Sequence, residues 1–416
     1  MFKNTNTINF KKNTLENKTM ENRTGLFTNA MIWFGVAISV SEIEAGIGIG
    51  NASSLSSLWI PLVLGHVLGG ILLFLVGYIG ASQRKNAMEV TESAFSKYGS
   101  KFFATLNVLQ LVAWVAVLNA QGATALASLN LPISFPLTCI ILAAFIALYV
   151  YIGLKRISKI TSIVMIILTL LLAVLSIQLL GLNSATPLHI SAKSLSFWSI
   201  FEISIAMPIS WLPVISDYTR DVEKHVKATL VSAVAYTVAS LWMYFIGIEI
   251  ANIGPSYTIA QAILLANLGT IGIIIVVIST ITTNFVAANS AGESSKVIFN
   301  KINPKIAGIV VSGISAVLAI SGIMNHYIDF LYLISSVFAP MASVLLVSYY
   351  LGKNNNSNGK IWYWNMFAWF AGFITYTITG YFDSIVLGPT LLSIIVSAGL
   401  AYAGVLVKKL SIENNI

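Results

Sequence analysis

The first apolar stretch of the chain, residues 33–51, reads WFGVAISVSEIEAGIGIGN. It is long enough to cross a bilayer, which takes about 20 residues, yet Glu42 and Glu44 lie near its middle among several glycines. A sixth apolar stretch, residues 197–216, is interrupted in a similar way around Pro208. Irregular backbone inside a bilayer occurs only where protein or a water-filled cavity satisfies its amides, and paired interruptions mark the substrate sites of secondary transporters. The two stretches therefore predict a pair of broken helices around a transport site.

The overall composition agrees with a membrane protein. Hydrophobic residues make up 57% of the chain, charged residues make up 9%, and the mean hydropathy is +0.84. We therefore expect an all-α polytopic membrane protein with twelve transmembrane helices. The predicted spans, numbered 1 to 12 in chain order, are 29–50, 59–82, 103–128, 134–153, 157–181, 195–216, 227–252, 269–290, 305–324, 327–351, 361–380 and 385–407.

The positions of the basic residues test this count of spans. Of the 23 Lys and Arg, all except Lys193 fall on one side of the predicted membrane. Cytoplasmic loops collect Lys and Arg, so both termini are predicted to be cytoplasmic. Because the net charge of +8 is spread over short loops beside lipid headgroups, it does not indicate a nucleic-acid partner. The expected location is the cytoplasmic (inner) membrane of a bacterium.

The chain divides into three predicted parts. Residues 1–28 are polar and lack the short apolar region and cleavage site of a signal peptide, so they are interpreted as a cytoplasmic tail. Spans 1 and 6 must run antiparallel, so spans 1–5 and 6–10 are expected to form an inverted repeat. This ten-helix transport core covers residues 29–351. Residues 352–416 then supply two appended helices and a short cytoplasmic C-terminus.

The two carboxylates of span 1 are the most unusual residues in the sequence. A charged side chain at the bilayer centre costs about 2.5–3.5 kcal/mol on the insertion scale, so Glu42 and Glu44 should face the protein interior. Two residues apart on a helix, they point in nearly opposite directions. Both reach one cavity only if the backbone there is unwound. Glu42 is therefore a candidate substrate contact, and Glu44 is a candidate for the cation site. The alternative is that one of them is a protonated, hydrogen-bonded packing residue.

Spans 3 and 6 supply candidate contacts for a planar ligand. Trp114 and Gln121 are seven residues apart, so they share a helix face and offer an aromatic plate and an amide. Pro208 and Pro213 each remove a backbone donor, and the carbonyls they free are available to ligand NH groups. Buried amides also join helices without any ligand, and Pro213 lies near the end of its span. The candidate contacts from these two spans are Trp114, Gln121, Met207, Pro208, Ser210 and Trp211.

Span 8 is unusually polar for a membrane helix. Its hydroxyls, among them Thr282 and Thr283, suit a small hard cation when carbonyls from an unwound strand complete the site. The amides of Asn284 and Asn289 are candidates for the ligand side. The alternative for one or two of the hydroxyls is a bond back to the preceding helical turn.

No enzyme is indicated by the sequence, which carries no P-loop, GxSxG or HExxH motif. Its single cysteine, Cys139, excludes an internal disulfide and is interpreted as a small packing residue. A passive channel or facilitator is the alternative from a different class, and glycine-broken helices argue against its continuous pore. A receptor or sensor would need a sizeable cytoplasmic output domain.

Three segments together resemble the nucleobase:cation symporter-1 family. They are the run from Trp211 to Arg220, Ser290-Ala291-Gly292 after span 8, and Tyr332 to Pro340 in span 10. Within the family, Ser41-Glu42-Ile43 and Gln121-Gly122-Ala123 look most similar to the CytX branch of hydroxymethylpyrimidine transporters. The resemblance covers roughly residues 29–410.

The resemblance implies a LeuT-type fold, a 5+5 inverted repeat with broken helices 1 and 6, that takes up a planar nitrogen heterocycle. The family's substrate positions correspond here to Trp114, the Met207–Trp211 stretch and the Asn284 region. Its sodium hydroxyls correspond to Thr282 and Thr283, with carbonyls of the helix 1 break, here placed near Glu44 and Gly46. Some members carry a glutamine where Leu118 stands.

The predicted function is therefore import of a small aminopyrimidine, with hydroxymethylpyrimidine, a thiamine precursor, as the first choice. Cytosine, or another nucleobase or allantoin-type substrate, is the alternative. The expected coupling ion is Na⁺ or H⁺. No cofactor and no obligate protein partner are predicted, and the partners are the heterocyclic substrate and the lipid bilayer.

Overall fold

The computed structural model describes residues 23–53, 55–183, 195–254, 257–265, 268–352, 361–382 and 386–413. The predicted N-terminal tail lies almost wholly outside these residues. Within them the chain is helical, apart from one isolated bridge between Thr24 and Val222. The helices are α1 Leu26–Ala37, α2 Val40–Asn51, α3 Leu55–Gln83, α4 Ala87–Ala127, α5 Phe135–Ile152, α6 Leu154–Asn183, α7 Phe197–Ser210, α8 Leu212–Thr219, α9 His225–Ile253, α10 Ile259–Leu265, α11 Gly269–Ile298, α12 Pro304–Ile320, α13 Tyr327–Tyr350, α14 Ile361–Thr379 and α15 Gly388–Glu413.

Helices occupy each of the twelve places where the sequence predicts a span. Among the described residues, nine helical segments, one of them α7 with α8 taken together, are long and apolar enough to cross a membrane, and α1 with α2 would make a tenth. Helix α12 is apolar but shorter. The all-helical membrane fold is thus confirmed, and the number twelve stays a prediction compatible with it.

The first broken span consists of α1 and α2, which meet at an angle of 49°. Helix α1 ends at Ala37, and Ser39 begins the next helix as its N-cap, with its side-chain oxygen accepting a hydrogen bond from the Glu42 amide. The interruption was expected at the carboxylates and glycines that follow. It lies instead at Ile38 and Ser39, because α2 continues as a regular helix through Glu44 to its glycine-rich end.

The second broken span consists of α7 and α8, which are separated by the single residue Trp211. Pro213 falls in the first turn of α8, where its missing N–H leaves no intrahelical bond unmade. Pro208 lies inside α7, and Gly69 of α3 leaves the space that its ring occupies. The prolines therefore interrupt this span where the sequence predicted.

The helices pack in two groups around these breaks. Helices α1, α2, α3, α7, α8 and α9 contact one another, and α4, α5, α11 and α12 form a second group. In the first group α2 approaches α9 so closely that a Cβ at Gly46 would collide with the Tyr244 carbonyl, and one at Gly247 with the Ile43 carbonyl. Glycine is thus required at both positions for this approach. Helices α14 and α15 pack on each other and on α13.

Candidate functional site

Two buried tryptophans face each other where the two groups of helices meet. Trp114 of α4 and Trp211 at the α7–α8 break are nearly parallel, with an interplanar angle of 18° and ring centroids 6.4 Å apart. This centroid distance lies within the range of about 4.5–7 Å that aromatic pairs in direct contact show. A flat ligand would therefore enter between the two rings only after they move apart. We call this space the tryptophan slot.

Other aromatic rings enclose the slot edge-on. Tyr327 and Phe330 of α13 lie against Trp114 with centroid distances of 6.3 and 5.4 Å. Trp33 of α1 meets Trp211 at 6.1 Å and 87°. The sequence analysis proposed both slot tryptophans and missed these three rings. Only packing shows that these three rings lie around the slot. Trp33, for example, has the residue type of an ordinary interface anchor, so the sequence gives no reason to single it out.

The helix register brings Asn284 close to the slot. Helices α4 and α11 run antiparallel, with Asn107 bonded to Ser294 and Gly122 lying against Thr280. The same register places Asn284 opposite Leu118, one turn beyond Trp114, and Asn284 shares the face of Thr280 that points at α4.

The amide of Asn284 is fully buried, and neither its nitrogen nor its oxygen has a hydrogen-bond partner within the described part of the chain. The indole nitrogen of Trp114 and the side-chain oxygen of Gln110 are likewise buried without partners there. Buried polar groups normally have partners, so these free donors and acceptors are candidates for binding a polar ligand.

Three backbone carbonyls near the second break already accept hydrogen bonds from side chains. Ser210 Oγ donates to the Met207 carbonyl at 2.6 Å, and the Gln110 amide donates to the Ser210 carbonyl at 3.2 Å. The Asn107 amide donates to the Pro213 carbonyl at 2.9 Å. The carbonyls that the prolines free are those of Ser204 and Ile209, four residues before each ring. The expectation that freed carbonyls accept ligand NH groups, and with it the assignment of Met207, Pro208 and Ser210 to the substrate, therefore stays a prediction.

Glu42 belongs to a hydrogen-bonded chain on the other face of α2. Its carboxylate accepts from Tyr236 at 2.8 Å and from Ser240 at 2.7 Å, both on α9. Ser240 also contacts Nε2 of His66, whose Nδ1 lies 2.6 Å from Ser204 Oγ. The chain joins α2, α3, α7 and α9. His66 is not among the candidates named from the sequence, although an ionisable residue within an apolar span is itself a signal of a role.

Glu44 faces the opposite group of helices. Gln121 of α4 donates to the Glu44 carboxylate at 2.5 Å and accepts from Ser41 Oγ at 2.6 Å. The two carboxylates thus point to different neighbours, as their spacing on an unbroken helix requires. The amide of Gln121 is engaged on both sides, whereas the sequence analysis assigned it to the substrate.

The hydroxyls of α11 meet the break of the first span. Ser279 Oγ donates to the Ile38 carbonyl at 2.8 Å and Thr283 Oγ1 to the Gly35 carbonyl at 3.3 Å. Thr282 bonds back to the Ser279 carbonyl of its own helix. The expected carbonyls near Glu44 and Gly46 are replaced by those of Gly35 and Ile38, because the chain breaks earlier than expected. Gly46 packs on α9 instead.

A polar layer closes the far end of the slot. Arg220 forms a 2.9 Å ion pair with Glu293 of α11, and Tyr218 donates to the Val286 carbonyl. Asn289, a predicted ligand contact, donates to the Tyr218 hydroxyl at 3.4 Å. Burial lowers the pKa of Arg220. The hydrogen bond to Glu293 and the negative charge of that carboxylate raise the pKa by more, so the net shift is upward and the guanidinium stays charged.

A separate cavity of about 570 Å³ lies away from these residues, between α7, α13, α14 and α15. Its wall includes Glu202, which is buried and accepts hydrogen bonds from the backbone and side chain of Thr390. Carboxylates are favourable at helix N-termini, so Glu202 attaches α15 to α7. This cavity and the tryptophan slot are therefore different places in the fold.

Comparison with solved structures shows the same fold at low sequence identity. The transporter Mhp1 in a closed conformation with bromovinylhydantoin bound superposes with a TM-score of 0.77 at 18% identity, covering 92% of both chains. Inward-facing Mhp1 gives 0.75 at 18% identity, covering 94% of this chain and 92% of that one. A Na⁺-coupled sialic acid symporter gives 0.65 at 12% identity, covering 92% and 89%. These similarities confirm the LeuT-type fold.

No curated protein sequence matches the chain. A family profile does match, over residues 17–386, and describes permeases for cytosine/purines, uracil, thiamine and allantoin. This match spans most of the chain, and its members are transporters and not enzymes. The chain therefore belongs to this permease family, the nucleobase:cation symporter-1 family.

Proposed function

We propose that this transporter imports a small planar aminopyrimidine together with a cation. Hydroxymethylpyrimidine is the first candidate and cytosine the second. The observation that carries the proposal is the tryptophan slot with the unpartnered amide of Asn284 beside it. Stacking between two indoles suits any flat heterocycle, so the polar groups around the slot must supply the selectivity.

The chemistry of an aminopyrimidine complements that amide. Its exocyclic amino group is a donor and the adjacent ring nitrogen an acceptor, and an Asn side chain pairs with such an edge through two hydrogen bonds. The Trp114 indole nitrogen and the Gln110 oxygen supply one more donor and one more acceptor. Glu42 already accepts two hydroxyl hydrogen bonds, so it supports the site from behind through α9.

For the coupling ion we propose a sodium site where α1 ends. The carbonyls of Gly35 and Ile38 and the hydroxyls of Ser279 and Thr283 converge there, and Thr282 lies on the same helix. Neutral oxygen ligands of this kind suit a hard cation. The alternative is proton coupling through Glu42 or Glu44, which would leave substrate affinity indifferent to sodium.

The proposed topology determines which end of the protein faces the cytoplasm. With both termini cytoplasmic in a bacterial inner membrane, the Arg220–Glu293 layer faces the cytoplasm and the turn at residues 323–326 faces outward. Uptake against a concentration gradient would distinguish this transporter from a passive facilitator.

Ligand-induced thermal stabilisation of the purified protein tests the proposal, using a panel of pyrimidines and purines with and without sodium. Binding to the folded state raises apparent stability by mass action. Trp114→Ala should weaken binding of every planar ligand, and Trp114→Phe should weaken it less.

Trp369→Phe is the matched control, because that buried indole lies on α14 and donates to the Val337 carbonyl of α13, away from the slot. Normal binding by a folded Trp114→Ala protein would contradict the slot. The absence of any stabilisation by aminopyrimidines would contradict the substrate class.

A further inference from the structure

The side chain of Gln121 is held from both sides at the contact between α2 and α4. Its oxygen accepts from the Ser41 hydroxyl and its nitrogen donates to the Glu44 carboxylate. Only one orientation of the amide satisfies both partners, because a hydroxyl donates to the oxygen and a carboxylate accepts from the nitrogen. Gln121 is 2% exposed, so losing either bond would leave a buried polar group unpaired.

This contact lies at one end of the tryptophan slot. At one end of α4, Asn107 bonds to Ser294, which follows Glu293 of the polar layer. Trp114 lines the slot, and Gln121 lies two turns beyond Trp114 toward the other end. Tyr327 closes the same end, because its hydroxyl donates to the Ser41 carbonyl and its ring meets the edge of Trp114.

The other faces of α2 are held more firmly. Gly46 and Gly247 bring α2 and α9 into backbone contact, and Glu42 adds two hydrogen bonds to α9. The α2–α4 contact is smaller and belongs to the boundary between the two groups of helices. If the groups separate, α2 stays with α9, and the bonds of Gln121 are the ones that break.

We propose that Ser41, Gln121 and Glu44 form a clasp that closes this end of the slot and opens during transport. Gln121 and Glu44 are then positioning residues, which control access to the slot without touching the substrate. The clasp depends on the chain being a transporter, and it is independent of which heterocycle or ion is carried.

The test exchanges the two partners of the clasp. Gln121→Glu places two carboxylates against each other and should open this end of the slot. Adding Glu44→Gln to that variant restores the pattern in reverse, because the new carboxylate at 121 accepts from both Ser41 and the new amide at 44. If Gln121 and Glu44 only stabilise the fold, the second substitution should disturb the packing further. If they form the clasp, the second substitution should close this end of the slot again.

Access to the slot is measured by labelling a single cysteine. Leu118→Cys lies between Trp114 and the clasp and is 1% exposed in the parent. It is introduced with Cys139→Ala, which removes the chain's single native cysteine. A membrane-impermeant maleimide is added at alkaline pH to each side of oriented vesicles. Two separate variants with an exposed cysteine, His326→Cys and Lys301→Cys, identify the two sides of the membrane that the reagent reaches.

We expect Gln121→Glu to raise the labelling rate about tenfold or more, the factor that corresponds to about 1.4 kcal/mol. The increase should occur only from the side marked by residue 326, and the exchange variant should return the rate to within about twofold of the parent. Gln121→Leu, which removes both bonds at similar volume, should act like Gln121→Glu and covers the case in which that variant does not fold.

Thr124→Val is the matched control. Thr124 lies on the same helix and bonds back to its own Ala120 carbonyl, so the labelling rate should not change. An unchanged rate in folded Gln121→Glu or Gln121→Leu, or an exchange variant no better than Gln121→Glu, would overturn the clasp. Labelling needs no substrate, so failure of the aminopyrimidine proposal would show separately as absent binding in a parent with a working clasp.

Discussion

Replacing Asn284 by leucine should make the ligand-free protein more stable while weakening substrate binding. Asn284 buries an amide nitrogen and oxygen that have no partners among the described residues. A buried unsatisfied polar group costs about 1–3 kcal/mol. Leucine has the same number of side-chain heavy atoms in the same branched arrangement and no polar atoms. We therefore expect Asn284→Leu to stabilise the ligand-free protein by about 1–3 kcal/mol.

The expected loss of affinity follows from the same two atoms. If each forms a neutral hydrogen bond with the substrate, worth about 0.5–1.5 kcal/mol, the variant loses about 1–3 kcal/mol of binding free energy. That is a loss of about 5- to 150-fold in affinity. The assays are thermal unfolding of the purified protein without ligand and equilibrium binding of cytosine and hydroxymethylpyrimidine.

Asn119→Leu is the matched control for this prediction. Asn119 is also fully buried in a membrane helix, but its amide nitrogen donates to the Cys139 carbonyl at 3.0 Å, and only its oxygen has no partner among the described residues. Its replacement loses a hydrogen bond, so it should stabilise the ligand-free protein less than Asn284→Leu and leave affinity nearly unchanged. The reasoning would be refuted if Asn284→Leu lowered stability and left binding intact, because Asn284 would then be an ordinary packing residue.

Three further predictions concern the ion, the slot and the closed end. Sodium should raise substrate affinity, and substrate should raise sodium affinity by the same factor. Thr283→Val keeps the side-chain volume but removes the oxygen near the Gly35 carbonyl, so it should abolish both effects and leave sodium-free binding largely intact. Substrate affinity that does not depend on sodium in the parent would reject this site. Trp211→Ala should lower affinity for aminopyrimidines and purines together, measured by competition binding, and a loss confined to one substrate would argue against stacking as its role. Arg220→Gln and Glu293→Gln should each increase maleimide labelling of Leu118→Cys from the membrane side that Lys301→Cys marks. The double variant should label little faster than either single one, since both substitutions remove the same ion pair. Additive effects on the labelling rate would show that the two residues act separately.

The sequence by itself determined the class of the fold and which two spans are broken, although the first break lies earlier in the chain than the sequence predicted. Apolar runs of membrane length, and prolines within one of them, act through local chemistry that needs no partner helix. The pairing of Trp114 with Trp211 was anticipated in part, because the residue types and the family resemblance pointed to both rings. Their near-parallel arrangement came from the packing of α4 against the α7–α8 break.

Only the tertiary structure decided what the polar residues do. Glu42 and Glu44 are two residues apart and chemically identical, yet one is bonded to α9 and the other to α4, because α2 is a regular helix between two groups of helices. The same packing occupied the amide of Gln121 and left that of Asn284 without a partner. A hydrogen-bond partner is set by which helices meet and in what register, and that depends on contacts between residues far apart in the chain.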